Sequence, residues 1–406
     1  MAMMLFSAAV CAQKPGSGAP LQEKLLNGLK VLVWNDPSAG KVTVKVRVHS
    51  GSAFDPLDKE GMMKLVSESI FPNAATRDFF TDDLGGSLDV SSNYDYIQIT
   101  ATAKTDGFLS MLETLAAAVT NQTIEKDAAE ALKAGHLAKL AGLENDASYI
   151  ADQAVAKRLF GAFPYGRRHL GTIDSVKKID FVDLRYAKDR FFTADNATIA
   201  ISGNMNTGLA LRAVRRYFGS WLKSDKKIPS TFKQPDEPDT ATVEIAMPNI
   251  TVSQFRYALR SLNRSDKDYP ASEILSQILD SRFKTIMNSR DSTVTNSAHI
   301  LPGAIVFRDA ASAGPKNKPL AGIFAAITND EFQKARSVVL AANSKRAIDE
   351  LWLDVDTYKF LLADEEQGYQ KATLADIQKV ADRLSKNTIA SATVSPATSA
   401  VQKPDR

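Results

Sequence analysis

The stretch from Lys223 to Thr240 constrains this chain more than any other. It is charged and proline-rich, with Lys223, Asp225, Lys226, Lys227, Pro229, Pro235 and Pro238 close together. Proline neither donates to a sheet nor sits comfortably inside a helix, so such a run reads as an interdomain linker. Beyond it the pattern of elements restarts. The chain has 406 residues, and at about 150 residues to a domain two or three domains fit. The reading is an N-terminal unit over 22–222, the linker over 223–240, a C-terminal unit over 241–395 and a small, polar tail over 396–406.

Within the first unit Val42, Val44, Val46 and Val48 alternate with Thr43, Lys45, Arg47 and His49, the period of a half-buried strand. The polar set, His49 included, is expected to face solvent. Further strands are expected over 31–34, 94–103 and 197–202, and helices over 60–71, 107–119, 124–143, 148–160, 181–192 and 207–222. In the second unit strands are expected over 243–247, 253–259, 299–307, 322–328 and 388–394, with helices over 271–287, 331–351 and 373–384. Each unit opens with strands, passes through helices and closes on a strand. That grouping points to α+β layers rather than a doubly wound sheet, and the shared order to a duplicated fold.

Composition excludes several functions. Lysine and arginine number 50 against 47 acids, too even a balance for a nucleic-acid footprint. Apolar residues make up 44%, which rules out disorder as the main state. Cys11 is the one cysteine, so there is no disulfide scaffold, and His49, His136, His169 and His299 leave few routes to a histidine metal site. The apolar run 1–12, ending in Val10-Cys11-Ala12, is too short to span a bilayer, which takes about 20 residues. It reads as a signal remnant cleaved after Ala12, although it lacks a basic start. A periplasmic or secreted chain is therefore expected, with no integral membrane segment.

Six local patterns, in order, resemble the pitrilysin/insulinase zinc peptidases, which include the mitochondrial processing peptidases. They are Leu26-Asn27-Gly28-Leu29-Lys30-Val31; Ser50-Gly51-Ser52 with Asp55; Gly61 through Phe71; Leu84-Gly85-Gly86-Ser87-Leu88; Arg158-Leu159-Phe160 with Pro164-Tyr165-Gly166 and Gly171-Thr172; and Asn196-Ala197-Thr198 to Gly203-Asn204-Met205. The second half is similar mainly at Ser281-Arg282-Phe283 and Trp352 to Tyr358. The resemblance implies an α+β chain of two homologous α/β-sandwich-type domains. Each would be a mostly antiparallel sheet with helices packed on one face.

The family's chemistry rests on His-x-x-Glu-His, whose i and i+4 histidines share a helix face and hold zinc while the glutamate activates water. Aligning Gly61 and Phe71 puts Lys64 at the first histidine, Ser67 at the glutamate and Glu68 at the second histidine. These are degenerate metal-site positions, and Lys64 and Glu68, four apart and of opposite charge, are placed to pair. The ligand on the later helix falls on Leu132 by one count and on Lys139 by another. Glu130 and Glu144 are the nearest carboxylates, and His136 is that helix's one histidine. The Arg and Tyr with which zinc-free relatives grip a substrate backbone fall on Asn288 and Thr295. Arg282 or Arg290 would serve only after a register shift.

Other chemistries are weaker. Lys64 and Ser67 have dyad spacing but no oxyanion loop. No Gly-x-Ser-x-Gly elbow or phosphate loop is present, although a Ser/His/Asp triad stays open on composition. Arg185, Lys188, Arg212, Arg215 and Arg216 read as solvated helix faces. No catalytic residue and no cofactor is therefore assigned to this chain. The resemblance implies a non-catalytic subunit that pairs with a homologous, zinc-bearing peptidase subunit to enclose a chamber. Extended or unfolded peptides would add to an edge strand over Leu88, Asp89, Val90, Ser91, Ser92 and Asn93. The alternatives are a stand-alone divergent metallopeptidase or another hydrolase, and a peptide-binding scaffold without an enzymatic partner.

Overall fold

The computed structural model describes residues 18–397 except 122, 225–227, 229–231, 312–319 and 321. The expected signal remnant and most of the expected tail lie outside the described residues. The first half runs β1 (Leu21–Lys24), β2 (Lys30–Asn35), β3 (Val42–Val48), α1 (Met62–Ser69), α2 (Ala74–Asp78), β4 (Ser87–Ser92) and β5 (Ile97–Ala103). It continues through α3 (Phe108–Ala116), α4 (Lys126–Leu143), α5 (Ala147–Phe160), α6 (Ile173–Lys177), α7 (Phe181–Phe191), β6 (Ala197–Gly203) and α8 (Thr207–Phe218). The second half runs β7 (Val243–Met247), β8 (Ser253–Arg260), α9 (Tyr269–Met287), β9 (Thr293–Ser297) and β10 (Ala304–Ala311). It closes with α10 (Asn329–Asn343), α11 (Ile348–Tyr358), α12 (Leu362–Lys371), α13 (Leu374–Leu384) and β11 (Ala390–Pro396).

Apart from the extra edge strand β1, the two sheets share one topology. The first has the order β1-β2-β6-β3-β5-β4 and the second β7-β11-β8-β10-β9. In each, the closing strand inserts beside the first strand of that shared order as the sheet's one parallel pair, β2 with β6 and β7 with β11, and every other pairing is antiparallel. The duplicated order in the sequence is thus a duplicated sheet, and the α+β class holds. Valines 42, 44 and 46 of β3 are fully buried against the helices of their own half.

The opposite face of each sheet is covered by a helix from the other half. Small residues of α5, Ala147 and Ala151 among them, let that helix lie close on β8 and β11. Asp152 of α5 meets Arg256 and Arg308 of the second sheet. In return, Leu353 of α11 packs on Leu32, Trp34 and Ala200 of the first sheet. Here a sequence expectation fails. The polar face of β3 meets not solvent but α11: Lys45 pairs with Asp349 and Glu350, and the fully buried Arg47 with Glu350 and Asp354. His49 is half-buried, its ring between the Thr198 and Thr357 hydroxyls at 3.0 and 3.2 Å.

Other departures have physical reasons. The helix expected over 331–351 is two helices, because α10 stays on its own half while α11 crosses to the other sheet. The strand expected over 322–328 is a turn: Gly322 has φ of 80°, and Arg282 takes the carbonyls of Ile323, Ala325 and Ala326 that a ladder would use. β10 starts at Ala304, beyond Pro302, and β9 pairs with it as an additional edge strand. Ser395 and Pro396, the latter expected in the tail, belong to β11. From the linker, Phe232 packs on Phe54 and Phe163, and Asp239 pairs with Arg158.

Candidate functional site

Asp55 positions the helix that carries the candidate residues. Its carboxylate accepts from the Gly61 and Met63 amides, both at 2.8 Å, and so caps the first turn of α1. Burial pushes this carboxyl up to about 7 against the two amides. Gly61 has φ of 92°, and a Cβ there would stand 2.7 Å from the Leu170 carbonyl. The tight entry to α1 therefore needs glycine.

Lys64, Ser67 and Glu68 lie on α1, and α4 packs across them. Lys64 Nζ is 3.5 Å from Glu68 Oε1. The pair is not isolated, because Lys139 Nζ of α4 stands 3.2 Å from the same oxygen and His136 Nδ1 stands 3.5 Å from Oε2. Burial would raise the Glu68 carboxyl, but His136, Lys64 and Lys139 outweigh it and hold it at about 2. His136 is buried, and its Nε2 donates to the Leu170 carbonyl at 2.8 Å. Of the two counts along α4, the one ending at Lys139 reaches Glu68. Glu130 pairs with Lys133 and Glu144 with Arg168. Ser67 Oγ donates to the Lys64 carbonyl at 2.7 Å and lies 3.4 Å from Ser92 Oγ. It thus bonds the lysine's backbone and not its ammonium, which is no nucleophile–base dyad.

A zinc ion does not fit these side chains. Structural and catalytic zinc sites use at least three protein ligands. Here the Lys64 ammonium stands at one ligand position and, by the count that ends there, the Lys139 ammonium at another, while the Glu68 carboxylate at the remaining one faces three basic groups. Among the described residues no group of three or more His, Cys, Asp or Glu side chains is placed to hold a metal.

β4 is one edge of the first sheet, β1 the other. Arg77 Nη1 donates to the Leu88 carbonyl at 3.3 Å from the side away from β5. Strand alternation then turns the amides and carbonyls of Val90 and Ser92 outward as well, and the Ser92 carbonyl is taken by His169. The expected edge segment is shortened at both ends. Leu88 has its carbonyl occupied, and Asn93 is not in the strand. Its carbonyl accepts from Ser52 N at 2.9 Å, and its side chain caps the turn to Tyr96. A Cβ at Gly51 would stand 2.1 Å from that carbonyl, so the close approach needs glycine here too. Asp89 and Ser91 project from the exposed face of β4.

The same turn joins the halves. Asp95 is buried, accepts from Tyr165 at 3.1 Å and meets His299 Nδ1 of the second half at 2.8 Å. Tyr94 sets its ring edge against those of Tyr165 and His299. Burial, with the charge of Lys64, pulls His169 down to about 4, and its Nδ1 is 2.9 Å from Ser52 Oγ. Sequence reasoning missed this cluster, because its members are far apart in the chain. The second-half positions have structural roles. Asn288 ends α9 in a left-handed conformation, Thr295 accepts from Arg308, and Arg282 pairs with Glu331.

Two family models match in succession: "Insulinase (Peptidase family M16)" over residues 30–173 and "Peptidase M16 inactive domain" over 178–301, together well over half the chain. The chain belongs to the insulinase family, M16. As an M16 protein it is 24% identical over 272 residues to a probable mitochondrial-processing peptidase subunit beta of Arabidopsis thaliana, covering 64% of this chain and 50% of that protein. It is also 24% identical over 203 residues to an uncharacterized zinc protease of Mycobacterium leprae, covering 49% and 46%. The chain thus spans about half the length of the curated relatives it matches. A peptidase M16 inactive domain from Pseudomonas fluorescens shares the fold at TM-score 0.82 and 17% identity, over 95% of this chain and 100% of that one. The first half of the periplasmic protease PqqL of Escherichia coli does so at TM-score 0.71 and 15% identity, over 94% and 93%. Against whole PqqL the match covers 48% of that chain. These likenesses confirm the two-unit M16 fold.

Proposed function

We propose that this M16 chain is a non-catalytic, peptide-binding subunit that works beside a separate zinc-bearing peptidase of the same family, the two enclosing a chamber. The observation that carries the reading is Glu68. Where the family resemblance puts zinc, its carboxylate is occupied by Lys64, His136 and Lys139. Lys64, Ser67 and Glu68 are then a degenerate metal site in which ion pairing replaces coordination. The match to about half of whole PqqL supports the idea that one such chain supplies half of a working peptidase. In this reading the units over 22–222 and 241–395 are its two peptidase-like domains, and the apolar run 1–12 directs export to the periplasm.

Peptide capture uses the free edge of β4, where Val90 offers its amide and carbonyl and Ser92 its amide to an added strand. Two measurements test the reading. Elemental analysis of the dialysed full chain should find no stoichiometric zinc, and about one zinc per chain would refute the degenerate site. Affinity purification from the native cells should bring down an M16 chain with an intact His-x-x-Glu-His. Recovery of the chain alone, with peptide binding retained, would leave it as a scaffold.

A further inference from the structure

The ammonium of Lys64 makes no hydrogen bond among the described residues. Its one ion-pair partner is Glu68 at 3.5 Å, yet its side chain is only 19% exposed. An ammonium carries three donors, and those that no protein group takes are left to water or to a ligand. Glu68 cannot satisfy them, since Oε1 is shared with Lys139 and Oε2 faces His136. Lys64 and Lys139 therefore stand against one carboxylate, an excess of one positive charge before either histidine is counted. The other charges of the region do not correct it, because Lys133 is paired with Glu130 and Arg168 with Glu144. Ser67, one turn on from Lys64 and on the same helix face, reaches Ser92 on β4. The ammonium thus stands near the Ser92 end of β4, where its charge acts on His169, whose ring bonds the Ser92 backbone.

We propose that Lys64 and Lys139 form a carboxylate site for a peptide laid along β4, taking an acidic side chain or the terminal carboxylate. The proposal rests on the edge-capture reading and adds a substrate class to it. Main-chain pairing along β4 tolerates any sequence, whereas a charge-assisted bond to a half-shielded ammonium selects one chemistry.

The test uses the full chain and three fluorescent peptides of neutral, extended sequence. One ends in a free carboxylate, one in an amide, and one in an amide with a single internal glutamate. At least one carboxylate-bearing peptide should bind about tenfold more tightly than the neutral amide. Whichever is preferred identifies the source. That advantage should vanish in a Lys64→Met/Lys139→Met variant while affinity for the neutral amide is kept. Lys139→Met alone, at an exposed position, should narrow it even if the double variant folds poorly. Val90→Pro should weaken all three peptides. Equal binding of the three by wild type, still lowered by Val90→Pro, would overturn the carboxylate site and leave edge capture standing. No binding of any peptide would overturn both.

Discussion

At the scale of single residues, Glu68 carries a carboxyl that its neighbours hold far below its free value. Its carboxyl is held at about 2 against an ordinary value of 4.5. The unfolded chain therefore takes up the proton first as pH falls. The stability Glu68 contributes is complete above about 4.5 and is lost as pH drops through about 2. Glu68→Gln should cost about 1–3 kcal/mol at neutral pH, less than for a fully buried pair because the site is partly solvated. Urea melts of both proteins along a pH series should show the gap closing toward pH 2, whereas a constant gap would trace the loss to packing. The spacing of Lys64 and Glu68 was legible because i and i+4 neighbours need no tertiary information. That His136 and Lys139 share the carboxylate was not, because it depends on how α4 crosses α1. His49 misled for a related reason. Alternation says which residues leave one face of a strand, and not what covers them.

Among elements, α1 depends on a residue outside it. Asp55→Ala removes both acceptors from the Gly61 and Met63 amides and should cost about 2 kcal/mol, the upper end for a lost cap. Urea denaturation measures that directly. A loss under about 0.5 kcal/mol would mean that water replaces the cap. The strongly periodic helices and the β3, β5 and β6 strands were legible to within a few residues. The break between α10 and α11 was not, since Ser344-Lys345-Arg346-Ala347 holds neither glycine nor proline. Arg346 reaches Asp354 and Glu365 there, a tertiary demand that local propensity does not encode. The same holds for 322–328, whose apolar content looked like a strand while Arg282 supplied the donors. The edge of β4 was recognisable in sequence, but Arg77 and Ser52, which limit it, come from elsewhere in the fold.

For the whole molecule, the exchange of α5 and α11 means that neither half is complete alone. The first half without α11 would expose Leu32, Trp34 and Ala200 and leave Lys45 and Arg47 uncompensated. Unpaired buried charges cost about 3–5 kcal/mol each, a large share of a domain's stability. If the chain is cut within the linker, each fragment expressed alone should be insoluble or loosely folded. Co-expressed fragments should copurify as a stoichiometric complex with the intact chain's circular dichroism. A soluble first half with a cooperative melt would contradict this. The duplicated order was readable from the sequence, but the exchange was not, because nothing in the residue patterns of α5 and α11 names the sheet each one covers.

The exchange also sets a timetable for synthesis. The first sheet closes when β6 emerges, yet its outer face stays bare until α11 follows more than a hundred residues later. At about 5–20 residues per second that interval lasts roughly 7–30 seconds. Throughout it a ribosome-bound chain displays tryptophan, leucine and uncompensated cations on an open sheet. A nascent chain in that state is a natural client for a holding chaperone.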